Sequence, residues 1–90
     1  MCFREISRIQ RWIDKKIEDN DHIYFVAITP IIPIRKHSYD LHFIVDDDTF
    51  ELGEHISEIY GEIMEKYTKC EFDFLILTEE EVYGKKNENN

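Results

Sequence analysis

Between Asp40 and Glu65 the chain has no lysine or arginine, against nine acids. A stretch of that sign repels phosphate backbones, so direct binding of DNA or RNA through this half is not expected. Cysteine is scarce as well. Cys2 and Cys70 are the only two in 90 residues, too few for a small disulfide-built scaffold and without the spacing of a metal motif. Reduced thiols and a cytoplasmic location are the expectation, with a Cys2–Cys70 bridge as the alternative. No run approaches the roughly 20 apolar residues of a membrane span, and the charged, periodic N-terminus is unlike a signal peptide. Internal repeats are absent, and neither Ser38 nor Ser57 has the glycine-rich setting of an acyl-transfer nucleophile.

What is present is enough for one small fold. Apolar residues make up 42% and aromatics 13% of the chain, which marks a folding sequence of a single two-layer domain. The expected domain is 1–84, with 85–90 a flexible polar tail. Phe3, Ile6, Ile9, Ile13 and Ile17 recur at three- and four-residue steps and predict a helix over 3–19, with Trp12 either widening the stripe or at its rim. "HIYFVAI" at 22–28 predicts a strand. Pro30 and Pro33 interrupt the apolar stretch that follows and argue for an edge, a bulge or a loop. Tyr39 to Val45 predicts a second, central strand, ended by Asp46, Asp47 and Asp48. A helix over 49–67 follows from Leu52, Ile56, Ile59, Ile63 and Tyr67. Asp48 is the expected cap, with Glu51 at capping-box distance. Gly53 and Gly61 could let a neighbour approach closely. "CEFDFLILT" at 70–78 predicts a third strand, and 79–83 one further helical turn.

The fold class is therefore α+β: a three-stranded mixed sheet packed against two helices in the order helix-strand-strand-helix-strand. The crossover through the second helix makes the last two strands parallel.

Strand periodicity then sorts the polar residues. Tyr39, Leu41, Phe43 and Val45 face one way, Asp40, His42 and Ile44 the other. In the third strand Asp73, Leu75 and Leu77 share a face. Neighbouring strands would bring Asp73 near Asp40 and His42 on the face without helices. Two carboxylates and an imidazole can hold Mn²⁺ or Zn²⁺, whereas Mg²⁺ prefers oxygen alone. Ordinary polar residues on the wet face of a sheet are the plainer reading.

The element order, "SYDLHFIV" and "FDFLIL" together resemble the minimal nucleotidyltransferase fold over residues 3 to 78. The resemblance places the family's Asp-x-Asp at Asp40 and His42, its third carboxylate at Asp73, and its phosphate-binding Gly-Ser turn at Ile28-Thr29. It implies Asp40, His42 and Asp73 as catalytic and metal-binding positions and Thr29 as a cofactor-binding one. It also implies a degenerate member. The Gly-Ser turn is replaced by Ile28 and Thr29, Pro30 removes an N–H donor, and His42 replaces the second carboxylate. No cofactor is expected unless the site is intact, in which case Mg²⁺, Mn²⁺ or Zn²⁺ would occupy it.

Three functions follow from these residues. The first is a catalytically inactive, nucleotidyltransferase-like protein-binding module. The second is a metal-dependent nucleotidyltransferase using Asp40, His42 and Asp73. The third is an acidic inhibitor that mimics nucleic acid toward a basic partner. Partner binding or self-association would use Ile31, Ile32 and Ile34 with the charged helix ridges: Arg4, Arg8, Arg11 and Lys15 on the first helix, and Glu51, Glu54, Glu58, Glu62 and Glu65 on the second. The same ridges could instead pair within one molecule. Cys70, just before a strand, is expected to be packed, and His37 to sit in a turn.

Overall fold

In the structure, a computed structural model, residues 3–31 and 37–84 are described. Cys2, Ile32, Ile34 and the 85–90 tail lie outside the described residues, so a Cys2–Cys70 bridge and most of the apolar segment's expected role fall outside them too. The elements run α1 (Phe3–Ile17), β1 (Ile23–Pro30), β2 (Ser38–Val45), α2 (Phe50–Lys66), β3 (Glu71–Thr78) and α3 (Glu79–Tyr83). This is an α+β arrangement, with a three-stranded sheet of order β1-β2-β3. β1 pairs antiparallel with β2, and β2 pairs parallel with β3.

The core lies between the sheet and the two long helices. α1 contributes Ile9, Ile13 and Ile17; α2 contributes Leu52, Ile56, Ile59 and Ile63. Against them stand Tyr39, Leu41, Phe43 and Val45 of β2, Val26 of β1 and Phe72 of β3. The residues that the two-residue strand period assigns to the inner face are thus the ones removed from water, each contributing about 1.5–3 kcal/mol of burial energy. Polar groups fasten the layers at defined points. Gln10 Nε2 donates to the Val26 carbonyl at 2.9 Å, tying α1 to β1. The Tyr60 hydroxyl donates to the Phe72 carbonyl, tying α2 to β3. Trp12 packs against the core and has the Lys16 ammonium 5.4 Å from its ring centroid.

Several local expectations need correction. The N-cap of α2 is Thr49, not Asp48: its backbone is extended and its hydroxyl accepts from Leu52 N–H at 3.2 Å. Asp ranks somewhat above Thr as a cap by propensity, but the point where the chain leaves the extended conformation decides between the two neighbours. Glu51 is then one residue early for a capping box, and that device occurs instead at α3, between Thr78 and Glu81. Gly53 and Gly61 admit no close neighbour, since a Cβ on either would meet nothing within 4 Å. β1 also extends through Pro30, two residues beyond the predicted strand. It can do so because β1 is an edge strand, where a missing N–H is tolerated. The ladder continues past it, with Ile31 N–H donating to the Ser38 carbonyl at 2.9 Å.

Among the described residues, no long helix lies on the opposite face of the sheet. The register shifts between Ile23 and Phe25, leaving Tyr24 without a partner across the ladder. Such a bulge re-aims a side chain. The Tyr24 hydroxyl reaches across the sheet to Glu79 Oε1 at 3.2 Å. Ile44 is buried although it belongs to this face and stands outside the main core. Its row in the sheet is Phe25, Ile44 and Leu77, the end of the sheet against which α3 lies.

Candidate functional site

Two groups of polar side chains occupy the sheet. The first is the row expected from strand periodicity. Thr29 is paired with Asp40, and Asp40 with Asp73, so the three positions lie side by side across β1, β2 and β3. His42 stands one pair further on, between Ala27 and Leu75. Asp73 and Thr29 are exposed, while Asp40 and His42 are half-buried. Two carboxylates on neighbouring strands and the same face repel each other, and a cation or a donor-rich partner would relieve that repulsion.

The second group was not singled out by the sequence reading. It lies at the end of the sheet where β2 and β3 begin. Glu5 comes from the first turn of α1, His37 from the turn leading into β2, and Cys70 from the residue before β3. Their donor atoms all lie within 4.8 Å of one another, and among the described residues this is the group of three His, Cys, Asp or Glu side chains that converges so closely. The thiol of Cys70 donates to Glu5 Oε2 at 3.5 Å. His37 Nδ1 lies 2.8 Å from Glu5 Oε1. The Tyr39 hydroxyl donates to the same Oε1.

The register explains the convergence. Ser38 pairs with Glu71 in the parallel β2–β3 ladder, so His37 and Cys70 occupy the preceding position on each strand. Two bonds lock this end. Glu71 N–H donates to the His37 carbonyl at 2.8 Å, and the buried Ser38 hydroxyl donates to Glu71 Oε1 at 3.1 Å. His37 has a φ of 61°, the left-handed region. A residue with a Cβ held there costs on the order of 1 kcal/mol, and such positions concentrate at functional sites.

Electrostatics at this cluster point in two directions. Burial pushes the Glu5 carboxyl upward, but the hydrogen bonds from Tyr39, His37 and Cys70 outweigh it, and the net shift is below the usual value. Glu5 is therefore an anion at neutral pH. An anion can only accept, so the proton shared with His37 resides on Nδ1. Burial and the Glu5 carboxylate push the Cys70 thiol up to about 11. A nucleophilic cysteine requires the reverse, a thiolate made available by an adjacent imidazole. Here thiol, imidazole and carboxylate are all present, but the carboxylate sits between the other two. The cluster is an incomplete catalytic-type site, built to hold protons rather than to attack. Its donor set of oxygen, nitrogen and sulfur is also one that a borderline metal ion accepts.

A separate ion pair joins β1's entry to β2's exit: His22 Nδ1 and Asp46 Oδ2 are 2.8 Å apart. The bond to Asp46 raises the His22 pKa and lowers that of Asp46. Glu62 of the acidic ridge pairs within the molecule with Lys16, next to the basic ridge and not one of its members, at 2.5 Å from Nζ to Oε1. No helix among the described residues is long and apolar enough to cross a membrane.

Compared with known proteins, the chain matches no family model, and no curated protein or solved structure shows significant similarity to it.

The sequence did carry a signal for the second cluster. Once β2 and β3 are read as parallel, the residues that open them must be neighbours, and those residues are a histidine and a cysteine. What could not be read was that the first turn of α1 would deliver Glu5 to the same place.

Proposed function

We propose that this protein is a non-catalytic binding module with a nucleotidyltransferase-like arrangement, and that it engages a protein partner through the face of the sheet that α1 and α2 leave uncovered. The observation that carries this reading is the composition of that face. Phe25 and Leu75 are 42% and 51% exposed there, flanking the polar row of Thr29, Asp40 and Asp73. Val82 and Tyr83 of α3 add 40% and 63% exposed side chains at its edge. Apolar anchors interleaved with a few polar positions suit a protein interface.

The sequence features that would support nucleotide transfer are not assembled in the same way. Ile28 is half-buried beside the core where the family resemblance would put a backbone open to phosphate. Thr29 lies inside the β1–β2 ladder and not in a turn. A helix N-terminus or a nest of free N–H groups, the usual cradle for phosphate, does not follow from an edge strand ending in proline.

The test is a titration of the labelled protein with Mn²⁺ or Mg²⁺ in the presence of ATP, following the amides of Asp40, His42 and Asp73. The binding-module reading expects no saturable change at these positions and no pyrophosphate release. Saturable changes removed by Asp40→Asn would restore the enzyme reading. In parallel, a photoreactive group at position 75 should crosslink a protein partner in cells, and Phe25→Asp should abolish that adduct.

A further inference from the structure

The Glu5–His37–Cys70 cluster plays no part in the binding face, and it lies at the end of the sheet where β2 and β3 start. We propose that these three side chains form a zinc site, with Glu5 Oε2, His37 Nδ1 and Cys70 Sγ as ligands and water in the fourth position. This inference is independent of the proposed function.

Four observations support it. First, the three donors come from three separate segments, the start of α1, the turn before β2 and the residue before β3, yet converge within 4.8 Å. Second, the sulfur–oxygen edge has the length that a tetrahedral zinc ion requires. With zinc–sulfur at about 2.3 Å and zinc–oxygen at about 2.0 Å, the sulfur–oxygen edge is about 3.5 Å. Glu5 Oε2 and Cys70 Sγ are 3.5 Å apart. The nitrogen–oxygen edge would be about 3.3 Å on the same bond lengths; His37 Nδ1 now sits 2.8 Å from the other oxygen, Oε1, so the ring must turn from Oε1 toward Oε2 to take up the metal.

Third, an outer partner is already in place. The Tyr39 hydroxyl holds Glu5 Oε1, the oxygen not used for the metal, and so fixes the carboxylate with Oε2 turned toward the thiol. Ligating carboxylates are commonly oriented by such bonds. Fourth, one side of the site is open. The His37 side chain is 48% exposed and that of Glu5 20%, so an ion and its fourth ligand can enter from water without disturbing the core.

The donor set selects the metal. A thiolate and an imidazole exclude Mg²⁺ and Ca²⁺ as preferred occupants, and a donor set of nitrogen, oxygen and sulfur suits Zn²⁺. The protons balance. Zn²⁺ replaces the proton of the Cys70 thiol, which leaves to water. The proton on His37 Nδ1 gives way to the metal while Nε2 carries the ring's proton. Thiolate and carboxylate together neutralise the two positive charges of the ion. Because the ion displaces the thiol proton, affinity falls as pH falls.

The ion would tie the first turn of α1 to the starts of two parallel strands. The site is thus a staple for a domain with a modest core, a device small folds use.

The experiment uses the reduced full-length chain carrying Cys2→Ser, which leaves Cys70 as its one thiol. Cobalt(II) is added as a spectroscopic stand-in, then displaced with Zn²⁺. The expected result is one equivalent of cobalt producing a thiolate-to-metal charge-transfer band and the intense visible bands of tetrahedral coordination, both erased by zinc. Cys70→Ser should abolish the charge-transfer band, and His37→Gln should weaken binding strongly. Tyr39→Phe should weaken it about 10–100-fold. Asp40→Asn with Asp73→Asn should leave it unchanged. Absence of the charge-transfer band in the Cys2→Ser chain overturns the proposal, as does a band that survives Cys70→Ser. Loss of binding only in the Asp40 and Asp73 variants would overturn it too, placing the metal on the sheet face instead. Should Cys70→Ser fail to fold, the parent titration with zinc competition still decides the matter.

Discussion

The two faces of the sheet are made from the same three strands but are held to different standards. On the helix-covered face Leu41, Phe43 and Val45 are fully buried. On the uncovered face Asp40 and His42 are half-buried and Leu75 on the neighbouring strand is half-exposed, while Ile44, at the end where α3 lies, is buried. The covered face specifies the fold by packing, where every methylene counts. The uncovered face is free of that demand, so it can carry repelling carboxylates and exposed apolar side chains. The energetic slack is on the second face, and that is where a binding function can reside without cost to the fold.

This contrast can be broken in graded steps. Phe43→Ala should be the most damaging, because its ring is fully buried and meets Phe74 edge-on at 6.1 Å between centroids. A loss of about 3–5 kcal/mol is expected, read by urea denaturation as a drop in midpoint at constant slope. A loss under about 1 kcal/mol would show that the covered face is not the organising core.

Next in size is Glu5→Gln, which tests a polar joint between the layers. It removes the charge that Tyr39, His37 and Cys70 share, and about 1.5–3 kcal/mol should go with it. The pH dependence has a fixed sign. Glu5's carboxyl titrates in the folded state below its ordinary value of 4.5. Its contribution is therefore fully present above that value and is lost as pH falls through the lower, folded-state one. Acid denaturation of Glu5→Gln should start from a lower plateau and lack that part of the decline. Identical acid limbs in the two proteins would contradict the assigned bonds.

Asp73→Asn should act in the opposite direction. It relieves a like-charge pair with Asp40 across the β2–β3 register, so a gain of about 0.2–1 kcal/mol is expected, shrinking with added salt. A loss instead would mean that the two carboxylates already share a favourable partner. The smallest effect belongs to Leu75→Ser. Its side chain is half in water, and stability should change by no more than about 0.5 kcal/mol. The same substitution should weaken partner binding, so the pair of measurements separates fold from function on one residue.

Much of the fold was legible because hydrophobic period is a direct physical signal. The isoleucines of α1 and α2, the alternation in β2 and the β-rich run before Thr78 each name an element and its buried side. The side-by-side placement of Asp40 and Asp73 followed from parity and adjacency alone. Boundaries were less legible. Thr49 replaced Asp48 as the cap and β1 ran through Pro30, since neighbouring residues with similar propensities are separated only by tertiary geometry. The Glu5–His37–Cys70 cluster was missed for a different reason. Its members are 32 and 33 positions apart in the chain, and none belongs to a recognisable spacing.

The sequence by itself determined which residues avoid water, and through that the number, order and inner faces of the elements, because burial periodicity is local and additive. Only the tertiary structure decided which polar residues meet. The meeting of a glutamate on a helix with a histidine and a cysteine at two strand starts depends on how the layers dock, and docking is set by the shape of the whole core rather than by any short stretch of chain.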